Sequence, residues 1–143
     1  MSHITPYLFF DGKCHEAMEF YKSCFGGELT MSRYADGPEG AGCAEGEGKA
    51  DLQRIMHACL TGGDASLMAS DNPTGAPKAG DNVSLSLHCE TMDDIERLFA
   101  ALSEGGKVVM PLDKTFWGAH FGMLVDKYGF NWMLNHQIAE PKA

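Results

Sequence analysis

The sequence predicts an α+β fold built from two β-α-β-β-β modules. Three observations predict it: an internal repeat, an amphipathic helical stretch closed by a double glycine in each copy, and a turn-bounded strand pair at the end of each copy.

The repeat is read first. Residues 4–31, ITPYLFFDGKCHEAMEFYKSCFGGELTM, lie over residues 83–110, VSLSLHCETMDDIERLFAALSEGGKVVM, without a gap. Leu8 meets Leu87, Phe20 meets Phe99, Gly26-Gly27 meets Gly105-Gly106 and Met31 meets Met110. Each copy opens on β-branched, aromatic and apolar residues (4–10 and 83–89), which suits a strand. A helix follows in each, predicted near 15–25 and 92–103. Its apolar stripe is Ala17, Phe20, Tyr21 and Cys24 in the first copy. In the second it is Ile95, Leu98, Phe99 and Leu102, at the same i, i+3, i+4, i+7 spacing. Phe20 and Phe99 are therefore expected to be buried at matching places. Thr91, followed by Asp93 and Asp94, reads as a helix start, because a hydroxyl caps free amides and acids suit the positive end. The double glycine ends each helix, since glycine takes the left-handed cap without strain. Strands then leave at 28–34 and 107–112. Each copy closes on a hairpin: 54–60 and 65–70 around Thr61-Gly62-Gly63-Asp64, and 121–125 and 130–135 around Asp126-Lys127-Tyr128-Gly129.

This gives one domain over 1–143, with module one at 3–71, a proline-containing linker at 72–82 and module two at 83–137. The stretch 36–48, with five glycines and four acids, has little apolar surface to order it and reads as a mobile loop, either plain surface or a lid.

At 143 residues, 44% hydrophobic and 22% charged, the chain is long enough to bury a core without disulfides or metal. A net charge of -9 argues against nucleic acid and against an anionic membrane surface. No apolar run approaches membrane-spanning length, and the N-terminus shows no secretory signal, so a cytoplasmic location is expected. The cysteines are Cys14, Cys24, Cys43, Cys59 and Cys89; their odd number and the lack of a C-x-x-C pattern point to thiols in a reducing compartment. The His15-Glu16 pair lacks the second histidine of a zinc-protease helix, and the acidic loop lacks the spacing of a calcium loop.

Paired modules of this kind, with ITPYLFFDG, EAMEFYKSCFGG, LMASD and FGMLVDKYGFNWMLN, resemble the PhnB-like branch of the vicinal-oxygen-chelate superfamily, which holds glyoxalase I, bleomycin-resistance proteins and extradiol dioxygenases. The resemblance covers residues 4–135. It implies that each module curls a mixed sheet around a cleft, where metal-using members place four His or Glu ligands. Those places fall here on Thr5 (or Pro6), Met68, Ser84 (or Leu85) and Met133. None is an imidazole or carboxylate, so neither a metal ion nor another cofactor is expected. The branch is often labelled a 3-demethylubiquinone 3-methyltransferase, but no glycine-rich loop of a nucleoside-binding fold is present.

Strand alternation then selects the residues facing the cleft. These are Thr5, Tyr7 and Phe9; Ile55, His57 and Cys59; Ser84, Ser86 and His88; and Asn131, Met133 and Asn135. Trp132 and Leu134 pack on the helix, and Trp117 and His120 form a rim. The expected ligand-binding set is Tyr7, Phe9, His57, Cys59, Met68, Ser84, Ser86, His88, Trp117 and Met133. His57 and His88 are the candidate catalytic residues, either as acid/base groups or simply as hydrogen-bonded strand histidines. Three functions stay open. They are metal-free binding of a small, partly apolar molecule; acid/base catalysis on an oxygen-rich substrate, as in a glyoxalase-like lyase; and, last, methyl transfer. A homodimer is expected, because half-barrels leave sheet edges to cover.

Overall fold

The structure is a computed structural model and describes residues 2–36, 52–73, 75–115 and 118–137. The chain divides into two compact units, Met1–Lys78 and Ala79–Ala143.

Unit one contains β1 (Tyr7–Phe10), α1 (Cys14–Phe25), β2 (Glu28–Arg33), a 3-10 turn (Tyr34–Asp36), β3 (Ile55–Thr61) and β4 (Leu67–Asp71). Its sheet order is β1-β4-β3-β2, with β1 parallel to β4 and the other pairs antiparallel. Unit two contains β5 (Leu85–His88), α2 (Met92–Ser103), β6 (Lys107–Lys114), β7 (Ala119–Val125) and β8 (Asn131–Gln137). Its order, β5-β8-β7-β6, repeats the first. In each unit the helix links the two edge strands, so it must cross one face of the sheet. Leu8, Ala58, Leu60, Leu67 and Ala69 are buried on the α1 side, and Leu87, Leu124, Trp132 and Leu134 on the α2 side. The opposite face of each sheet carries no helix of its own unit among the described residues, and is called the open face below.

The helices start differently although their sequences align. Thr91 caps α2 as expected, its Oγ1 accepting from the Asp94 amide at 3.1 Å. Lys13 stands at the same place before α1 and makes no side-chain cap. The Cys14 amide instead donates to Asp71 Oδ1 at 2.9 Å, from the end of β4. The other oxygen of that buried carboxylate accepts from the Ile55 amide at 2.9 Å. In unit two the buried Asp126 holds the last hairpin, accepting from the Tyr128 and Phe130 amides at 2.8 and 3.1 Å and from Trp132 Nε1 at 2.8 Å.

Several boundaries and orientations differ from expectation. The opening strands begin at Tyr7 and Leu85, because the ladder with β4 starts at Tyr7–Met68 and that with β8 at Leu85–Trp132. Ile4 and Val83 precede these strands and are exposed. Phe20 is only half-buried, unlike Phe99. The core side of α1 is Cys14, Ala17, Met18, Tyr21, Cys24 and Phe25, a stripe that turns away from Phe20. Ile55 is buried at 1% exposure and does not share the open face. The register between β2 and β3 shifts at Ser32/Arg33, and this breaks the alternation at the start of β3. Apart from Asp36, the glycine-rich stretch lies outside the described residues, as does Trp117.

Burial, with the Asp71 charge beside it, pushes the Cys14 thiol up to about 12 from 9.0. Burial and neighbouring charge raise Tyr34 above 10.0 in the same way. Both groups hold their protons more tightly folded than unfolded. The Cys14 contribution to stability is therefore complete below about pH 9 and is lost as pH rises toward 12, and that of Tyr34 is complete below about pH 10 and is lost above it. Replacing Cys14 by Ala should flatten the fall of urea midpoint between pH 8 and pH 10.5, leaving a smaller slope from Tyr34. An unchanged slope would show that the thiol does not contribute.

Candidate functional site

The open face of unit one is built by register. Tyr7 lies opposite Met68, Met68 opposite Cys59 and Cys59 opposite Thr30, one residue from each strand. One step along, Phe9 lies opposite Ser70 and His57 opposite Ser32. All five residues expected here, Tyr7, Phe9, His57, Cys59 and Met68, therefore stand on the same side of the sheet. Tyr7 and Phe9 are 39% and 50% exposed, although aromatic side chains gain most by burial. Their ring centroids are 5.1 Å apart. The Tyr7 hydroxyl meets His57 Nδ1 at 3.3 Å, and the two rings lie 5.9 Å apart. The hydroxyl donates when Nδ1 is bare and accepts when Nδ1 carries the proton. The result is an apolar surface with one coupled polar pair beside a half-buried thiol, Cys59.

In unit two, Ser86 lies opposite Met133, Met133 opposite Met123 and Met123 opposite Met110. His88 lies opposite Asn135, and Asn135 opposite Phe121. Ser86 and His88 are exposed. Ser84 also is exposed, but it precedes β5 and is not part of the strand expected to carry it. His120 sits inside β7 opposite His136, where it belongs to the ladder and not to a rim. His136 is committed to structure, its Nδ1–H donating to the Cys89 carbonyl at 2.9 Å.

The donor set does not fit the metal used by the family resembled above. Met68 and Met133 stand on the open faces, while Thr5 and Ser84 lie outside the strands. Among the described residues, no three His, Cys, Asp or Glu side chains gather where they could hold an ion. A thioether is a poor partner for the hard or borderline cations of Lewis-acid chemistry, and neither hydroxyl supplies the charge of a carboxylate.

Sequence reasoning missed a polar recess of about 300 Å³ at the end of sheet one, lined in part by His15, Arg33, Arg54 and Asp71. Two of its charged groups, Arg54 and Asp71, are used structurally. Arg54 Nη2 pairs with Asp11 Oδ1 at 2.6 Å, and its Nη1 donates to the Asn72 carbonyl at 3.0 Å. The one available signal was a strand ending in Asp before Asn-Pro, which marks a carboxylate able to tie a turn.

The family model for the Glyoxalase/Bleomycin resistance protein/Dioxygenase superfamily matches residues 1–134. Protein YjdN of Escherichia coli (strain K12) is 30% identical, over 96% of this chain and 97% of its own length. Protein PA1353 from Pseudomonas aeruginosa is 43% identical, with a TM-score of 0.82 over 96% of this chain and 98% of that one. The PhnB protein from Bacillus cereus is 30% identical, with a TM-score of 0.74 over 94% and 99%. No described helix is long and apolar enough to cross a membrane.

Proposed function

As the chain belongs to the Glyoxalase/Bleomycin resistance protein/Dioxygenase superfamily, we propose that it uses the open face of unit one to bind a small, partly apolar molecule without a metal ion. The observation that carries this reading is the exposed Tyr7–Phe9 surface joined to His57 by the 3.3 Å hydrogen bond. Apolar surface with a few placed polar groups is what a small-molecule site offers. An NMR screen of aromatic alcohols and carbonyl compounds tests it. Binding compounds should shift the signals of Tyr7, Phe9, His57, Cys59 and Met68 together. Phe9→Ala should weaken such compounds about tenfold, the loss expected for removing part of an aromatic contact. Compounds that bind while leaving these residues undisturbed would reject the face.

The same Tyr7–His57 pair supports a second reading, in which His57 moves a proton on an oxygen-rich substrate. His57→Gln should then abolish turnover and keep affinity within a fewfold. We rank methyl transfer last, because both sheets are mixed and neither is the doubly wound parallel sheet of nucleoside-cofactor enzymes. We also propose a homodimer in a reducing, cytoplasmic setting. Strand β6 is an exposed edge carrying Val108, Val109 and Met110, and Cys14, Cys24, Cys59 and Cys89 are thiols. Light scattering at micromolar protein decides the first point, a mass near 15.5 kDa being the result that rejects a dimer.

A further inference from the structure

We propose that Met110, Met123 and Met133 form a soft-metal site on the open face of unit two, suited to a monovalent thiophilic ion such as copper(I) or silver(I). It lies on a different unit from the binding face above and does not rest on that reading.

Three thioether side chains stand side by side on three adjacent strands. Met133 is opposite Met123 on the neighbouring strand, and Met123 is opposite Met110 on the next. Adjacent strands run about 4.8 Å apart, and a methionine side chain turns about three bonds, so three sulfurs at one level can converge on one ion above the middle strand. Met110 reaches this row only through a break in the ladder. Val108 is opposite Leu124, which is buried on the helix side. Simple alternation would send Met110 to that side as well. The register shift between Val108 and Met110 places Met110 opposite Met123 instead. Bulges of this kind re-aim side chains and gather beside functional sites. The repeat sharpens the point. Met31 aligns with Met110 in sequence, yet it lies opposite the fully buried Ala58 in an unbroken stretch of ladder, on the α1 side.

These residues do not behave as core. Met110 is 47% exposed and the other two are half-buried, on the face away from α2. Thioethers are neutral, soft donors that favour copper(I)-like ions over magnesium, calcium or manganese. The chain's net charge of -9 favours the approach of a cation. At the place where the superfamily resemblance puts a hard ligand, Met133 presents sulfur, so the departure from that pattern is a change of metal class as well as a loss of hard donors.

The test is silver(I) nitrate titrated into protein labelled with carbon-13 at the methionine methyl groups. Cys43→Ser and Cys59→Ser are made first, to limit capture by thiols. The methyl signals of Met110, Met123 and Met133 should move together and saturate at one silver per chain, while those of Met18, Met56 and Met68 stay in place. Met123→Leu, close in volume, should weaken binding by about tenfold or more and leave the other two methyls unmoved at that silver concentration. Met110→Leu, at the exposed edge, should do the same, and covers the case in which the Met123 variant does not fold. Methyls that do not move at saturating silver, or move independently of one another, overturn the proposal. So does unchanged affinity in a folded Leu variant. In each of those cases the row is only an adaptable apolar surface.

Discussion

Replacing Asp71 by Ala should lower the stability of unit one by about 4 kcal/mol, because hydrogen bonds to a charged group contribute roughly 1.5–3 kcal/mol each and stranded buried donors add to the loss. The carboxylate sits at the end of β4, 2% exposed, and ties two distant amides: Cys14 at the start of α1 and Ile55 at the start of β3. Its own carbonyl accepts from the Tyr34 hydroxyl at 3.0 Å, a bond that the substitution leaves available. Three elements thus meet at one side chain, and α1 has no side-chain cap of its own at Lys13. Asp71→Asn retains one oxygen acceptor and should fall between the variant and the wild type. Thr91→Ala, which removes the cap of α2 alone, should lose only about 1 kcal/mol. Urea unfolding followed by near-UV circular dichroism measures all three. A loss below about 1 kcal/mol for Asp71→Ala would mean that solvent or other acceptors replace the carboxylate, and the reading of Asp71 as the joint of unit one would be abandoned.

The second large effect separates two neighbouring glycines. Gly26→Ala should cost about 1–3 kcal/mol, the strain of a side chain at a φ of +73° and ψ of −165°, a region almost confined to glycine, and no more. Its φ is +73°, and an added Cβ would meet nothing within 4 Å. Gly27→Ala should cost about 4 kcal/mol, because overpacking against rigid atoms adds to the same kind of strain. There the φ is +94°, and the new Cβ would run into the Thr61 carbonyl oxygen and stand 2.8 Å from the Gly63 amide nitrogen. Both obstacles are backbone, so no side chain can swing aside. Gly106 repeats the close approach in unit two, without a positive φ: the added Cβ would meet the Val125 carbonyl oxygen and the Asp126 backbone. The first glycine of each pair turns the chain out of the helix, with φ of +73° and +74°. The second lets the departing strand pass close to the hairpin at the far end of the sheet. Thermal melts of the two Ala variants in unit one test the distinction. Equal losses would show that the helix exit alone accounts for both glycines.

The sequence by itself determined the repeated order of elements, both helices and the face taken by most strand residues. These are local properties. A helix writes its buried stripe every three or four residues, and a strand shows its two faces by alternation, so Ile95, Leu98, Phe99 and Leu102 were legible as core. Tyr7, Phe9, His57 and Cys59 were legible as residues of one face for the same reason. The methionines at positions 68 and 133 were legible as matching places because the hairpins repeat.

Tertiary structure alone decided what depends on atoms far apart in the chain. Asp71 stands in for a missing cap across 57 residues, and no local pattern records that distance. The turn of α1 that buries Met18 and leaves Phe20 half-buried follows from how α1 meets its sheet, because Phe20 fits the apolar period as well as its neighbours do. Breaks in the ladder bury Ile55 and bring Met110 to the open face; one inserted residue reverses the side on which the residues beyond it point. Alternation is a rule about neighbours along one strand. Register is settled between strands, by which pairing satisfies the backbone of both, and only the folded sheet contains that information.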